Sequence, residues 1–98
     1  MWFEIILAPN AGKQLSALTG HARAKVRDAI ELHLRHEPRK VSRSRIKRLR
    51  GLAQPEYRLR VDEIRVFYDV KETEVHVLAI VTKAEASVDT QNRPLMDT

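Results

Sequence analysis

Ninety-eight residues suffice for one domain around one core, not two, so residues 1–98 are read as a single unit. The chain has no cysteine, which excludes a disulfide scaffold and thiolate metal sites, and His21, His33, His36 and His76 follow no zinc-ligand spacing, so no metal or other cofactor is expected. The net charge of +5 conceals a sharper local imbalance: Arg39 to Arg50 holds seven Lys or Arg and no acid, so that region, and not the surface at large, calls for an anion such as nucleic acid or an acidic protein.

Along the chain, Phe3, Ile5 and Leu7 alternate with Trp2, Glu4 and Ile6 until Pro9-Asn10, which predicts a first strand and not a signal peptide. No apolar stretch reaches the roughly 20 residues of a membrane helix, and the expectation is a cytoplasmic protein without membrane contact. Asn10 is placed to cap a short helix carrying Ala11, Leu15 and Leu18, with Gly20 as its stop. Val26, Ala29, Ile30 and Leu34 then form one stripe of a longer helix, opposite Arg23, Lys25, Arg27, Glu31 and Arg35, and Pro38 lies just past its end.

Beyond the basic run, Ile46 to Gly51 reads as a short strand and Ala53-Gln54-Pro55 as a turn. Tyr57, Leu59 and Val61 alternate with Arg58 and Arg60, and Ile64, Val66, Tyr68 and Val70 with Arg65, Phe67 and Asp69. Val75, Val77, Ala79 and Val81 continue the pattern after Glu72-Thr73, and residues 83–98 are expected to be a frayed helical turn or tail. The predicted fold is α+β: a small antiparallel sheet in the order β-α-α-β-β-β-β, with the two N-terminal helices on one face.

With Asp62-Glu63 as a two-residue loop, Val61 faces Ile64, Leu59 faces Val66 and Tyr57 faces Tyr68, while the opposite face pairs Arg60 with Arg65 and Arg58 with Phe67. Like charges directly opposed are unfavourable, and an anion between them removes the penalty. Arginine matches a phosphate with two parallel N–H donors, and Phe67 offers a surface on which a base could stack. Carrying the register across Glu72-Thr73 sets Asp69 opposite His76, Phe67 opposite Leu78 and Arg65 opposite Ile80.

Arg48-Leu49-Arg50-Gly51, Tyr57-Arg58-Leu59-Arg60 and Arg65-Val66-Phe67-Tyr68, in this order and spacing, make nearly the whole chain resemble the RelE/ParE superfamily of bacterial toxins. The resemblance implies a toxin of a toxin-antitoxin pair, held by a small, acidic, partly disordered antitoxin. RelE-like members cut messenger RNA in the ribosome; ParE-like members inhibit DNA gyrase without cutting. A third alternative is an RNA-binding or regulatory domain that has lost toxicity. Position by position, Arg58, Arg60 and Arg65 match the basic residues of RelE-like nucleases, Lys83 stands where an arginine is common, and Asp89 stands near the place of a proton-accepting tyrosine or histidine.

On this reading the 2'-oxygen attacks the adjacent phosphate to give a 2',3'-cyclic phosphate, without a metal, while Arg58, Arg60, Arg65 and Lys83 stabilise the phosphorane. The candidate bases are His76 oriented by Asp69, then Glu85 and Asp89. Arg39, Lys40, Arg43, Arg45, Lys47, Arg48 and Arg50, with Phe67, are the expected contacts to messenger RNA and the ribosome.

Overall fold

The computed structural model describes residues 1–51 and 54–84. Its elements are β1 (Glu4–Leu7), α1 (Pro9–Ala17), α2 (Gly20–Leu34), β2 (Ile46–Arg48), β3 (Tyr57–Val61), β4 (Ile64–Lys71) and β5 (Glu74–Thr82). The chain order is the expected one. The sheet, however, runs β1-β5-β4-β3-β2 and is mixed, because β1 lies parallel to β5 at one edge. The expectation of a purely antiparallel sheet is thus corrected. After β1 the two helices carry the chain over the sheet, and the strands that follow fill in from the far edge, leaving β5 to close against β1 in the same direction.

Both helices cover one face. Ala11 and Leu15 of α1 and Val26, Ala29, Ile30 and Leu34 of α2 pack on Leu59, Val61, Val66, Tyr68, Val70, Val75, Val77 and Ile80. Helix α1 begins one residue before the expected cap: Ala8 precedes it, Pro9 supplies the first turn, and Asn10 lies inside. Gly20 starts α2 and does not end α1. Thr19 caps α2, its Oγ1 accepting from the N–H of Ala22 at 3.2 Å.

Two tight loops fix the meander. Asp62 and Glu72 each open a two-residue connection in the left-handed region, at φ +54°. The β3-β4 register is as expected throughout, from Tyr57 opposite Tyr68 to Val61 opposite Ile64. The β4-β5 register is as expected only from Lys71 to Tyr68; between Tyr68 and Phe67 it shifts by one, leaving Leu78 unpaired and setting Phe67 opposite Ala79 and Arg65 opposite Val81. This bulge turns Ile80 into the main core and sends Ala79 and Val81 to the other face, so Val75, Val77, Ala79 and Val81 do not share a face. Past the end of β1, the Ile80 N–H finds a partner in Gln14 Oε1 of α1 at 2.7 Å.

Candidate functional site

The face of the sheet away from the helices carries a second, small apolar cluster of Leu49, Phe67, Ala79 and Val81, bordered by arginines. Arg60 on β3 stands directly opposite Arg65 on β4, and Arg58 stands between Lys47 on β2 and Phe67 on β4. The three arginines differ in how they are held. Arg60 is exposed. Arg58 is half-buried, and its Nε is buried without a hydrogen-bond partner. Arg65 is only 8% exposed, and its Nη1 donates to the backbone carbonyls of Asp62 at 2.9 Å and Ile64 at 3.3 Å, across the base of its own hairpin.

Their electrostatics are mutual. Burial lowers the Arg58 pKa from its ordinary value, and the charges of Arg65 and Arg60 lower it further. Arg65 is lowered by burial and by Arg60, with Glu63 pulling the other way. Arginine nonetheless stays protonated, so these shifts measure crowding of positive charge. Among the described residues no carboxylate forms an ion pair with any of the three. An oxyanion laid on this face would relieve the repulsion.

Other expected site residues fall differently. Phe67 is 1% exposed, packed with Leu49, Ala79 and Val81, so it supports the face from beneath and offers no ring for a base to stack on. The bulge sets Ala79 and Val81 on this side in place of the Leu78 and Ile80 expected opposite Phe67 and Arg65.

His76 does lie opposite Asp69 on the neighbouring strand, yet they do not form the expected pair. Asp69 is buried and accepts from Gln54 Nε2 and from the Glu56 N–H, both at 2.7 Å, while Glu56 Oε1 accepts in turn from the Val70 N–H at 3.0 Å. His76 Nε2 bonds instead to Glu74 Oε1 at 2.9 Å. Asp69 therefore holds the loop that enters β3, which contains the cis Gln54-Pro55 bond, and does not orient a base. Lys83 is exposed, and its backbone N–H donates to the Glu63 carbonyl at 2.7 Å, beside the β3-β4 hairpin. Lys83 and Ala84 have helical backbone. Glu85, Asp89 and the rest of the expected tail lie outside the described residues.

The basic run is divided among several surfaces. Tyr68 anchors its start, with its hydroxyl donating to the Pro38 carbonyl at 2.7 Å and its ring stacked on Tyr57; burial raises its pKa. Arg39 lies over Phe3 and Arg48 over Tyr57, at 5.8 and 5.5 Å from the ring centres. Lys40 pairs with Glu37 at 3.9 Å. Arg43 and Arg50 are exposed, Lys47 joins Arg58 on the arginine face, and Arg45 borders a hollow on the helix side. One connector thus serves both faces of the sheet at its β2 edge. The sequence pattern did not single out His33, which lines that same hollow.

Neither a family model nor a curated protein matches the sequence. Solved structures do match, at the level of the fold. The toxin-antitoxin complex RelBE2 from Mycobacterium tuberculosis superposes with a TM-score of 0.70 at 21% identity, over 84% of this chain and 99% of that one. The archaeal RelE-RelB complex from Pyrococcus horikoshii gives 0.68 at 22% identity, covering 85% and 97%. A double mutant of Escherichia coli toxin RelE in the free state gives 0.70 at 19% identity, covering 92% and 93%. The fold is that of the RelE-like toxins, an α+β domain with two helices on one face of a five-stranded mixed sheet.

Proposed function

We propose that this chain is the toxin of a toxin-antitoxin pair and acts as a metal-independent, ribosome-dependent endoribonuclease on messenger RNA. The observation that carries this reading is the convergence of Arg58, Arg60 and Arg65 on the face of a RelE-like sheet away from the helices, with one buried donor unpartnered and no ion-paired carboxylate among the described residues. A binder that cut nothing would have little use for three cations crowded at one point.

In the reaction, attack of the 2'-oxygen on phosphorus builds negative charge on the non-bridging oxygens, then expels the 5'-oxygen and leaves a cyclic phosphate. Arg60 is free to follow the phosphate, Arg58 directs its donors from a partly desolvated position, and Arg65, tied to the hairpin, adds fixed positive charge behind them. One positioned donor of this kind is worth roughly 3 to 4 kcal/mol of transition-state stabilisation. Lys83 supplies a further cation beside the hairpin. A proton acceptor among Glu85, Asp89 or a group of the ribosome completes the step; His76 is less suited because it bonds to Glu74.

The expected antitoxin has a surface to hold. Among the described residues the outer side of β1 is an unpaired sheet edge, and beside it Ile5, Leu7, Leu15 and Ile30 line an apolar hollow of about 360 Å³ rimmed by Arg27, Arg35 and Glu31. An extended segment with apolar and acidic side chains fits both features. Arg35 is itself braced, donating to Glu31 and to the Phe3 carbonyl and lying over Trp2. Among the described residues no helix is long and apolar enough to cross a membrane.

A second reading, a gyrase inhibitor that cuts nothing, is favoured by one observation: of the proton acceptors considered, His76 is the one among the described residues, and it bonds to Glu74. Induced expression followed by primer extension on a reporter message separates the two. The nuclease leaves cuts at codons under translation; intact messages with altered plasmid supercoiling would replace it with the gyrase inhibitor.

A further inference from the structure

On the helix side of the β2 edge, the end of α2 and the start of β2 enclose a hollow of about 240 Å³ lined by Leu32, His33, Lys40, Ser42, Arg45 and Ile46. We propose that this hollow binds one nucleotide of a single-stranded RNA, with the base against Leu32, Ile46 and the His33 ring and the phosphate on Arg45. The site is separate from the arginine face but rests on the reading that this chain holds RNA.

The lining fits a nucleotide in its parts. Leu32 is 74% exposed, an apolar side chain at the mouth of the hollow, and Ile46 is buried at its floor. The Ser42 hydroxyl oxygen accepts the N–H groups of Arg45 at 3.2 Å and Ile46 at 3.0 Å, which leaves its proton to be donated. No hydrogen bond engages the His33 ring among the described residues, and burial together with Arg45 lowers its pKa. It is thereby neutral near pH 7, with one donor and one acceptor nitrogen for a base edge.

Two further observations select this occupant. Glu37 also borders the hollow and pairs with Lys40, so a peptide carrying several carboxylates would meet a like charge, whereas a single phosphate can settle at the Arg45 side. The Arg60 N–H donates to the Arg45 carbonyl at 2.8 Å, so the two arginine positions are joined by one backbone hydrogen bond across adjacent strands. A strand of RNA held at Arg60 and rounding the β2 edge delivers its neighbouring nucleotide to Arg45.

The test is a titration of the full-length chain with adenosine 5'-monophosphate, inorganic phosphate and triglutamate, followed by NMR of the His33 imidazole, the Leu32 methyls and the Ser42 and Ile46 amides. The nucleotide should shift all of them saturably, phosphate alone should leave the Leu32 methyls unmoved, and Arg45→Glu should weaken nucleotide binding by about tenfold or more. Leu32→Glu, at an exposed position, should weaken the nucleotide and spare phosphate. Silence at these signals, or equal shifts with triglutamate, would overturn the proposal, the latter marking an acidic-peptide site. The Arg58 and Arg60 amides, read with a short RNA, keep the two ideas apart: a response there with the hollow silent removes only the subsite, and the reverse removes only the phosphate-gripping face.

Discussion

Arg60 and Arg65 face each other directly across two hydrogen-bonded strands, with the half-buried Arg58 near enough that both charges depress its pKa. Opposed like charges cost roughly 0.2 to 1 kcal/mol, and a buried donor without a partner costs roughly 1 to 3. The arrangement disfavours the free protein and favours a bound oxyanion.

Arg58→Met should therefore stabilise the free protein, by about 1 kcal/mol, because it removes an unpartnered Nε and a like charge while keeping an apolar stem beside Phe67. The check is the urea midpoint in buffer without phosphate or sulfate. Growth arrest by the same variant should be lost, so stability and toxicity move in opposite directions.

Asp69 and His76 should part company under substitution. Asp69→Ala strands the Glu56 N–H and frees Gln54, a loss of about 1 to 3 kcal/mol readable in thermal unfolding. His76→Gln removes only a partly exposed contact with Glu74 and should leave growth arrest and its pH dependence unchanged. A changed pH profile in His76→Gln would return this residue to the role of base.

Stability should fall as the solution is acidified below neutrality, in part through His33. Its folded pKa lies below the ordinary 6.5 of a histidine, since burial and Arg45 both disfavour the imidazolium. The unfolded chain takes up that proton first, so the contribution is complete above about pH 6.5 and is lost as pH falls toward the folded value. In His33→Gln, the difference in urea midpoint between pH 7.5 and pH 5.5 should be smaller than in the wild type.

The arginine face was legible in the sequence because a two-residue loop and strict alternation leave one register for β3 and β4, from Tyr57-Tyr68 to Arg60-Arg65. What lay beyond it was not. The unpaired Leu78 has no signature in an apolar run that also contains Val77, Ala79 and Ile80, yet it decides that Ala79, not Leu78, faces Phe67 and that Val81, not Ile80, faces Arg65. The pairing of β1 with β5 joins segments some 70 residues apart, and local periodicity carries no information on direction. Asp69 opposes His76 as the register requires, but its oxygens are taken by Gln54 and Glu56, a competition invisible without the loop in three dimensions.

The central claim is that the arginines of this sheet face hold a phosphodiester, and the salt dependence of binding to a short, 2'-deoxy-substituted RNA tests it most directly. Each phosphate contact to a single strand contributes roughly 0.7 to the slope of log affinity against log salt concentration. Arg60→Ala, at an exposed position where folding is not at stake, should lower the affinity and reduce the magnitude of the slope by about that increment. An Arg60→Ala protein that binds with the affinity and slope of the wild type would contradict the account.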